Sequence, residues 1–204
     1  GSERMSFVKW SYSSMKRKIL RPTSSHLSIS NCNCGKREEG DSVGGVVECV
    51  VSGLKAGVGE PVFEKLDANL AKAVVSIGAV KAFEIGDGFK VAKAFGSVNN
   101  DAFVADEKGN ISKKTNHAGG ILGGISDGSD ILLRAYFKPT PSIYKQQQTV
   151  NQNGENIDIN IKGRHDPIIV PRAVVVVEAM AAITVLDMLL VSLTSDIEKI
   201  RKIL

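Results

Sequence analysis

This sequence predicts an α+β fold, with helices layered on antiparallel strands, on three observations. Short apolar runs of strand character recur at 43–54, 79–85, 131–138 and 155–162. They fall in local groups and do not alternate strictly with helices, as a parallel α/β sheet would require. One stretch of helical period follows the first run. After the last comes a nearly unbroken apolar run, AVVVVEAMAAITVLDMLLVSL, starting at Ala173.

Residues 1–38 read as a leader of unknown structure and residues 39–204 as the body. From Met5 to Ser30 the leader is Ser-rich and carries five Lys/Arg and no acid, the composition of an organelle transit peptide or, equally, of a solvated or partly helical leader. The stretch NCNCGKREEG then reads as a linker. The body alone predicts a cytoplasmic protein; a native transit leader would direct it to a plastid or other organelle.

Within the body, VGGVVECVVSGL reads as a strand closed by the turn KAGVG. Pro61 suits a first helical turn, and Val62, Phe63, Leu66, Leu70, Ala73 and Val74 then recur at helical spacing, with Lys65, Asp67 and Lys72 opposite. AVKAFEI is a second strand, followed by GDGF and a short helix or turn. FVADEKGNISKK predicts a hairpin around Lys108-Gly109. ILLRAYFK and ENIDINIK alternate apolar and polar residues, as half-buried strands do. A Pro-bounded connection with an Asn-Gly turn at 153–154 joins them. The last element, 171–203, is apolar all round until its final turns, so it has to be covered on every side, sandwiched between sheets or at a subunit interface.

Composition narrows the function classes. With 43% hydrophobic and 24% charged residues, the chain can bury one core. The net charge of +4 sits in the first 40 residues, which hold eight Lys/Arg against three acids, leaving 18 against 19 elsewhere. The body has no basic excess with which to bind nucleic acid. Cys32, Cys34 and Cys49 are too few for a closed zinc site and read as reduced thiols. Arg172, Glu178 and Asp187 interrupt the long apolar run, which argues for a core helix and against a membrane span.

Four stretches could carry chemistry. In GRHDP an extended backbone puts Arg164 and Asp166 on one face and His165 on the other, pairing an anion-binding guanidinium with a carboxylate base. The structural alternative is a capping Asp166 paired with Arg164. In KPTPS, Pro139 and Pro141 stiffen a loop that directs the Lys138 ammonium and the Thr140 and Ser142 hydroxyls, a set suited to phosphate; a plain rigid turn is the alternative. NHAGGILGGISDG has paired glycines but not the Rossmann pattern, and His117 in it has no nucleophile at hand. The glycine-flanked acids of GDSVGG and EIGDGF read as turn residues, and no metal is assigned.

Taken in order, EGDSVGGVVE, GVGEPVFEKLDANLAKA, AVKAFEIGDGF, NHAGGILGGIS, FKPTPSI and GRHDP…PRAV…VEAM resemble the C-terminal half of the chorismate synthase family, over about residues 39–192. The resemblance implies a layered β-α-β sandwich, a homotetramer and no membrane. It also implies a carbon–oxygen lyase that converts 5-enolpyruvylshikimate 3-phosphate to chorismate by 1,4-anti elimination of phosphate. That reaction belongs to aromatic amino-acid biosynthesis and requires reduced FMN, with NADPH entering only indirectly through a flavin reductase. By motif, Gly78, Ala79, Gly123, Lys138, Pro139, Thr140, Pro141, Ser142 and Arg164 would hold the flavin. Arg164 would also reach the substrate anion, and Asp166 would handle the proton at flavin N5. The family's Gly-Glu-Ser-His-Gly motif, its catalytic histidines and its Arg-x-Ser-x-Arg-Glu-Thr-Ala stretch are missing here. The resemblance therefore predicts little or no activity for this chain alone; the alternative is a non-catalytic oligomerising or flavin-binding fragment.

Overall fold

The computed structural model describes residues 7–9, 22–28, 39–195 and 197–201. Most of the predicted leader and linker, with Cys32 and Cys34, lies outside the described residues.

The α+β layering is present. A five-stranded antiparallel sheet runs in the order β1 (Phe7–Lys9), β2 (Pro22–Ser28), β3 (Gly45–Val51), β9 (Ile131–Phe137) and β4 (Val80–Ile85). β3 and β9 pair from Gly45↔Phe137 to Val51↔Ile131, so their odd-numbered residues share one face. Val47, Cys49, Val51, Ile131, Leu133, Ala135 and Phe137 are buried there. The opposite face mixes Val46, Val50 and Leu132 with Glu48, Arg134 and Tyr136, and its charges are paired. Arg134 donates to Glu48 at 2.7 Å and to the Gly86 carbonyl at 2.7 Å, while the Tyr136 hydroxyl donates to Glu84 at 2.6 Å.

Two helices cover the apolar face. α1 (Leu66–Val75) buries Leu66, Leu70 and Val74, one residue per turn. The long helix α3 (Val170–Thr194) buries Val170, Ala173, Val177, Ala181, Val185, Met188 and Ser192 along one stripe. Each fully buried Val or Leu contributes about 1.5–3 kcal/mol, so these two stripes and the sheet's inner face make the core. Burial pushes the Cys49 thiol up to about 12, with the charge of Glu178 adding to the shift.

Four sequence expectations change. The first helix starts at Leu66 and not near Pro61, leaving Val62 66% and Phe63 87% exposed. Val62 sits at φ +64°, a left-handed conformation that no α-helix continues through. The predicted half-buried strand ENIDINIK is instead the exposed β11 (Asn156–Ile159), paired with an unforeseen β10 (Gln147–Val150) around the Asn-Gly turn. The final helix breaks after Thr194 and resumes as the short α4 (Ile197–Arg201). Of the two covers expected for α3, a sandwich between sheets is not found among the described residues: Val175 and Ile183 are each 63% exposed, and Leu186 and Leu190 share that bare outer face. It is also the one described helix long and apolar enough to cross a membrane.

The 88–113 excursion holds a 3₁₀ turn (Gly88–Lys93), the one-turn helix α2 (Gly96–Asn99) and the predicted hairpin of β5 (Phe103–Ala105) and β6 (Ile111–Lys113). A small hairpin, β7 (Ile121–Leu122) and β8 (Ile125–Ser126), leads into β9.

Candidate functional site

The site is assembled where β9 ends. The Lys138 N–H donates to the Ala79 carbonyl at 2.9 Å, fastening the 138–142 loop to the Gly78-Ala79 turn that enters β4. Ala79 holds φ +70°, a conformation costing a non-glycine residue about 1 kcal/mol or more. The Ser42 hydroxyl donates to the Thr140 carbonyl at 2.6 Å, and the Gln147 amide donates to the Pro141 carbonyl at 2.9 Å. These ties fix the loop without using its own polar side chains. The Thr140 hydroxyl is buried and has no hydrogen-bond partner among the described residues. A buried hydroxyl in that state costs about 1–3 kcal/mol, which a bound acceptor or donor recovers.

Beside this loop runs 160–169, which lies between β11 and α3 and has no ladder bonds of its own. The Val43 N–H donates to the Pro167 carbonyl at 2.9 Å, and the Tyr144 hydroxyl donates to the Gly163 carbonyl at 2.6 Å. Together the two segments line a cavity of about 370 Å³. The predicted residues Ser142, Arg164 and Asp166 line it, with Gly40, Asp41, Ser42, Tyr144 and His165, which the site prediction omits; Gly78, Ala79, Lys138, Pro139, Thr140 and Pro141 do not line it. The motif GDS at 40–42 is the sequence signal of Gly40, Asp41 and Ser42. Its Asp41 bonds its own neighbour, the Ser42 N–H, at 2.9 Å, as a turn residue does, and also receives Lys145 at 2.8 Å. That carboxylate holds the Lys145 ammonium above its ordinary range.

The GRHDP expectation is met only in part. Arg164, His165 and Asp166 all line the cavity, so His165 does not face away. Asp166 pairs with Arg172, Nη1 to Oδ2 at 2.7 Å, and not with Arg164. Nor does it cap α3, whose N-cap residue, Ile169, makes no side-chain cap bond. Arg164 is exposed and has no ion-pair partner among the described residues, so its guanidinium is available to an anion.

Gly123 is not part of this cavity. It lies in the β7–β8 turn at φ +61°, beside the start of α1, where the Leu66 N–H donates to the Gly124 carbonyl at 2.8 Å. Seven residues of β9 separate that end of the sheet from Lys138, about 20 Å at strand rise.

A second polar cluster occupies the Gly123 end, and it is closed. The Asp101 carboxylate accepts the His117 N–H at 2.8 Å, the Ala118 N–H at 3.0 Å, the Thr115 hydroxyl at 2.7 Å and the Lys113 ammonium at 3.3 Å. Lys113 also reaches Asp127 at 2.6 Å. Burial would raise the Asp101 pKa, but the two N–H groups, the hydroxyl and the ammonium outweigh it and hold the carboxyl well below the usual range. His117 Nδ1 lies 2.9 Å from Asp101 Oδ1 without hydrogen-bond alignment and is left unpaired. His117 is therefore part of a structural cluster.

Residues 18–190 match the family model described as chorismate synthase. A chorismate synthase of Lachnoclostridium phytofermentans is 67% identical over 163 residues, 80% of this chain and 44% of that protein. One from Archaeoglobus fulgidus is 61% identical over 153 residues, covering 74% and 42% respectively. A solved structure titled as a crystal structure of chorismate synthase superimposes with a TM-score of 0.64 at 33% identity, over 78% of this chain and 41% of that one. The chain spans less than half the length of the curated relatives it matches.

Proposed function

The chain belongs to the chorismate synthase family, and from that premise we propose that it supplies the flavin-holding part of a chorismate synthase site. The observation that carries the reading is the meeting of Ser142, Arg164 and Asp166, from two separate segments, around one cavity. The donors that line the cavity fit an anionic cofactor such as FMN: the Ser142 hydroxyl and the Arg164 guanidinium, which has no ion-pair partner among the described residues; Lys138 and the orphaned Thr140 hydroxyl belong to the same loop but not to the lining.

In this reading the loop 138–142 binds the flavin, with the Gly78-Ala79 turn as its support. Reduced FMN, when bound, supplies transient electron density to the substrate ring as phosphate departs. Arg164 balances anionic charge from cofactor and from 5-enolpyruvylshikimate 3-phosphate. Asp166 takes and returns a proton, and its pairing with Arg172 fixes the direction of the carboxylate without burying it. The overall reaction removes phosphate and one ring hydrogen, giving chorismate with no net redox change.

The substrate's other contacts are not found among the motifs of this chain, so we infer little or no turnover by it alone. An anaerobic titration with dithionite-reduced FMN, followed by substrate, tests both parts. Saturable flavin binding with at most trace chorismate is the expected result. Robust chorismate formation would overturn the incomplete-site reading; no flavin binding would overturn the flavin reading. Where turnover is measurable, Asp166→Asn should lower it far more than it weakens FMN binding.

One observation favours a second reading, a non-catalytic oligomerising fragment: the bare apolar stripe of α3 at Val175, Ile183, Leu186 and Leu190. A stable oligomer on sizing that binds no FMN would support it.

A further inference from the structure

We propose that Tyr144 is a positioning residue of this cavity, a latch that joins the 138–144 loop to the segment carrying Arg164 and Asp166; the proposal rests on the flavin reading above. Residues 160–169 have no ladder bonds, so the direction of Arg164 depends on a few individual ties. His165 bonds within its own segment, Nε2 to the Ile161 carbonyl at 3.0 Å. Val43 holds Pro167 from the β3 side and Arg172 holds Asp166 from α3. Among the described residues, the Tyr144 hydroxyl makes the one hydrogen bond that joins this segment to the 138–144 loop, at 2.6 Å to Gly163. The same ring meets His165 edge-on, with centroids 4.7 Å apart and planes at 72°, a favourable aromatic arrangement.

The latch is itself anchored. The Tyr144 N–H donates to the Gly40 carbonyl at 3.0 Å. Gly40 holds φ +70°, and a Cβ there would meet the Tyr144 Cβ at 3.0 Å, so a side chain at 40 would be strained and would press the two segments apart. Three strips of chain around one cavity, at 40, 144 and 163–165, are thereby locked together through one residue. Tyr144 is 52% exposed, so it is not a core residue whose loss would unfold the protein.

Two variants separate its contacts: Tyr144→Phe removes the hydrogen bond and keeps the ring on His165, while Tyr144→Ala removes both. Reduced-FMN titration should show affinity falling about fivefold in the first and about thirtyfold in the second, with the urea midpoint unchanged. NMR order parameters of residues 163–166, measured without ligand, should fall in the same sequence, and the ring-current shift of His165 should survive in Phe but not in Ala. Unchanged order parameters would overturn the latch whether or not flavin binds. A loss of affinity that merely tracks a loss of global stability would overturn it too. If the wild-type chain binds no FMN but the order parameters fall as described, the flavin reading fails and the latch stands.

Discussion

At Ile131, where β9 begins, a buried carboxylate accepts two backbone N–H groups, a hydroxyl and an ammonium; at Phe137, where it ends, a buried hydroxyl bonds nothing among the described residues. The two ends are of similar composition, each with glycine turns, a lysine, a histidine and an aspartate. They differ in where the bonds go. At the Asp101 end the charges are spent on one another and on the backbone, with His117 Nδ1 the exception. At the Lys138 end the backbone is tied down from outside, by Ser42, Gln147 and Tyr144, while Thr140 and Arg164 keep their donors unspent. Polar residues that satisfy each other hold a fold together, whereas polar residues held in place but unsatisfied make a binding site.

Breaking the closed end should have the largest effect, and it should fall on stability. Asp101→Ala strands two part-buried backbone N–H groups and leaves the buried Lys113 ammonium with one partner, so urea denaturation should show a loss of about 3 kcal/mol. FMN affinity of the folded protein should stay the same. The same carboxylate sets an acid limit. Because its pKa is lowered on folding, its contribution is complete above the unfolded value near pH ~4 and is lost as pH falls toward the folded one. An acid titration of Asp101→Asn should lack that component.

At the open end the order reverses. Arg164→Ala should weaken FMN binding by about tenfold or more, the worth of a charge-assisted hydrogen bond, with little change in the urea midpoint because the side chain is exposed. Thr140→Val sharpens the contrast further. It removes an unsatisfied buried hydroxyl at nearly constant volume, so the ligand-free protein should gain about 1 kcal/mol while flavin affinity falls. The smallest effect is expected at Ala79→Gly, which relieves the φ +70° strain and should stabilise by at most about 1 kcal/mol in the same denaturation assay.

Much of this was legible in the sequence because period and register are local. The alternation in 45–51 and 131–137 places Glu48 and Arg134 on one face and Cys49 and Leu133 on the other, as found. KPTPS and GRHDP were each visible as rigid polar stretches, and family resemblance joined them. What no local pattern carries is which segments meet. Gly123 and Lys138 look alike as flavin contacts by motif, yet a whole strand lies between them. Asp101, in NNDAF, carries no sign that its partners lie 12 to 17 residues on. For α3 two covers stay open for a related reason: an all-round apolar helix shows that something covers it, not whether the same chain or another subunit does. Tyr144 was hidden because a lone tyrosine in a polar loop has no period, and its role exists only once Gly40 and Gly163 are brought beside it.

The most direct test of the central claim is hydrogen exchange followed by mass spectrometry, with and without saturating reduced FMN. The account predicts added protection confined to 40–44, 138–144 and 163–167, with 113–128 unchanged. Protection centred on 113–128, around Gly123 and the Asp101 cluster, would contradict it.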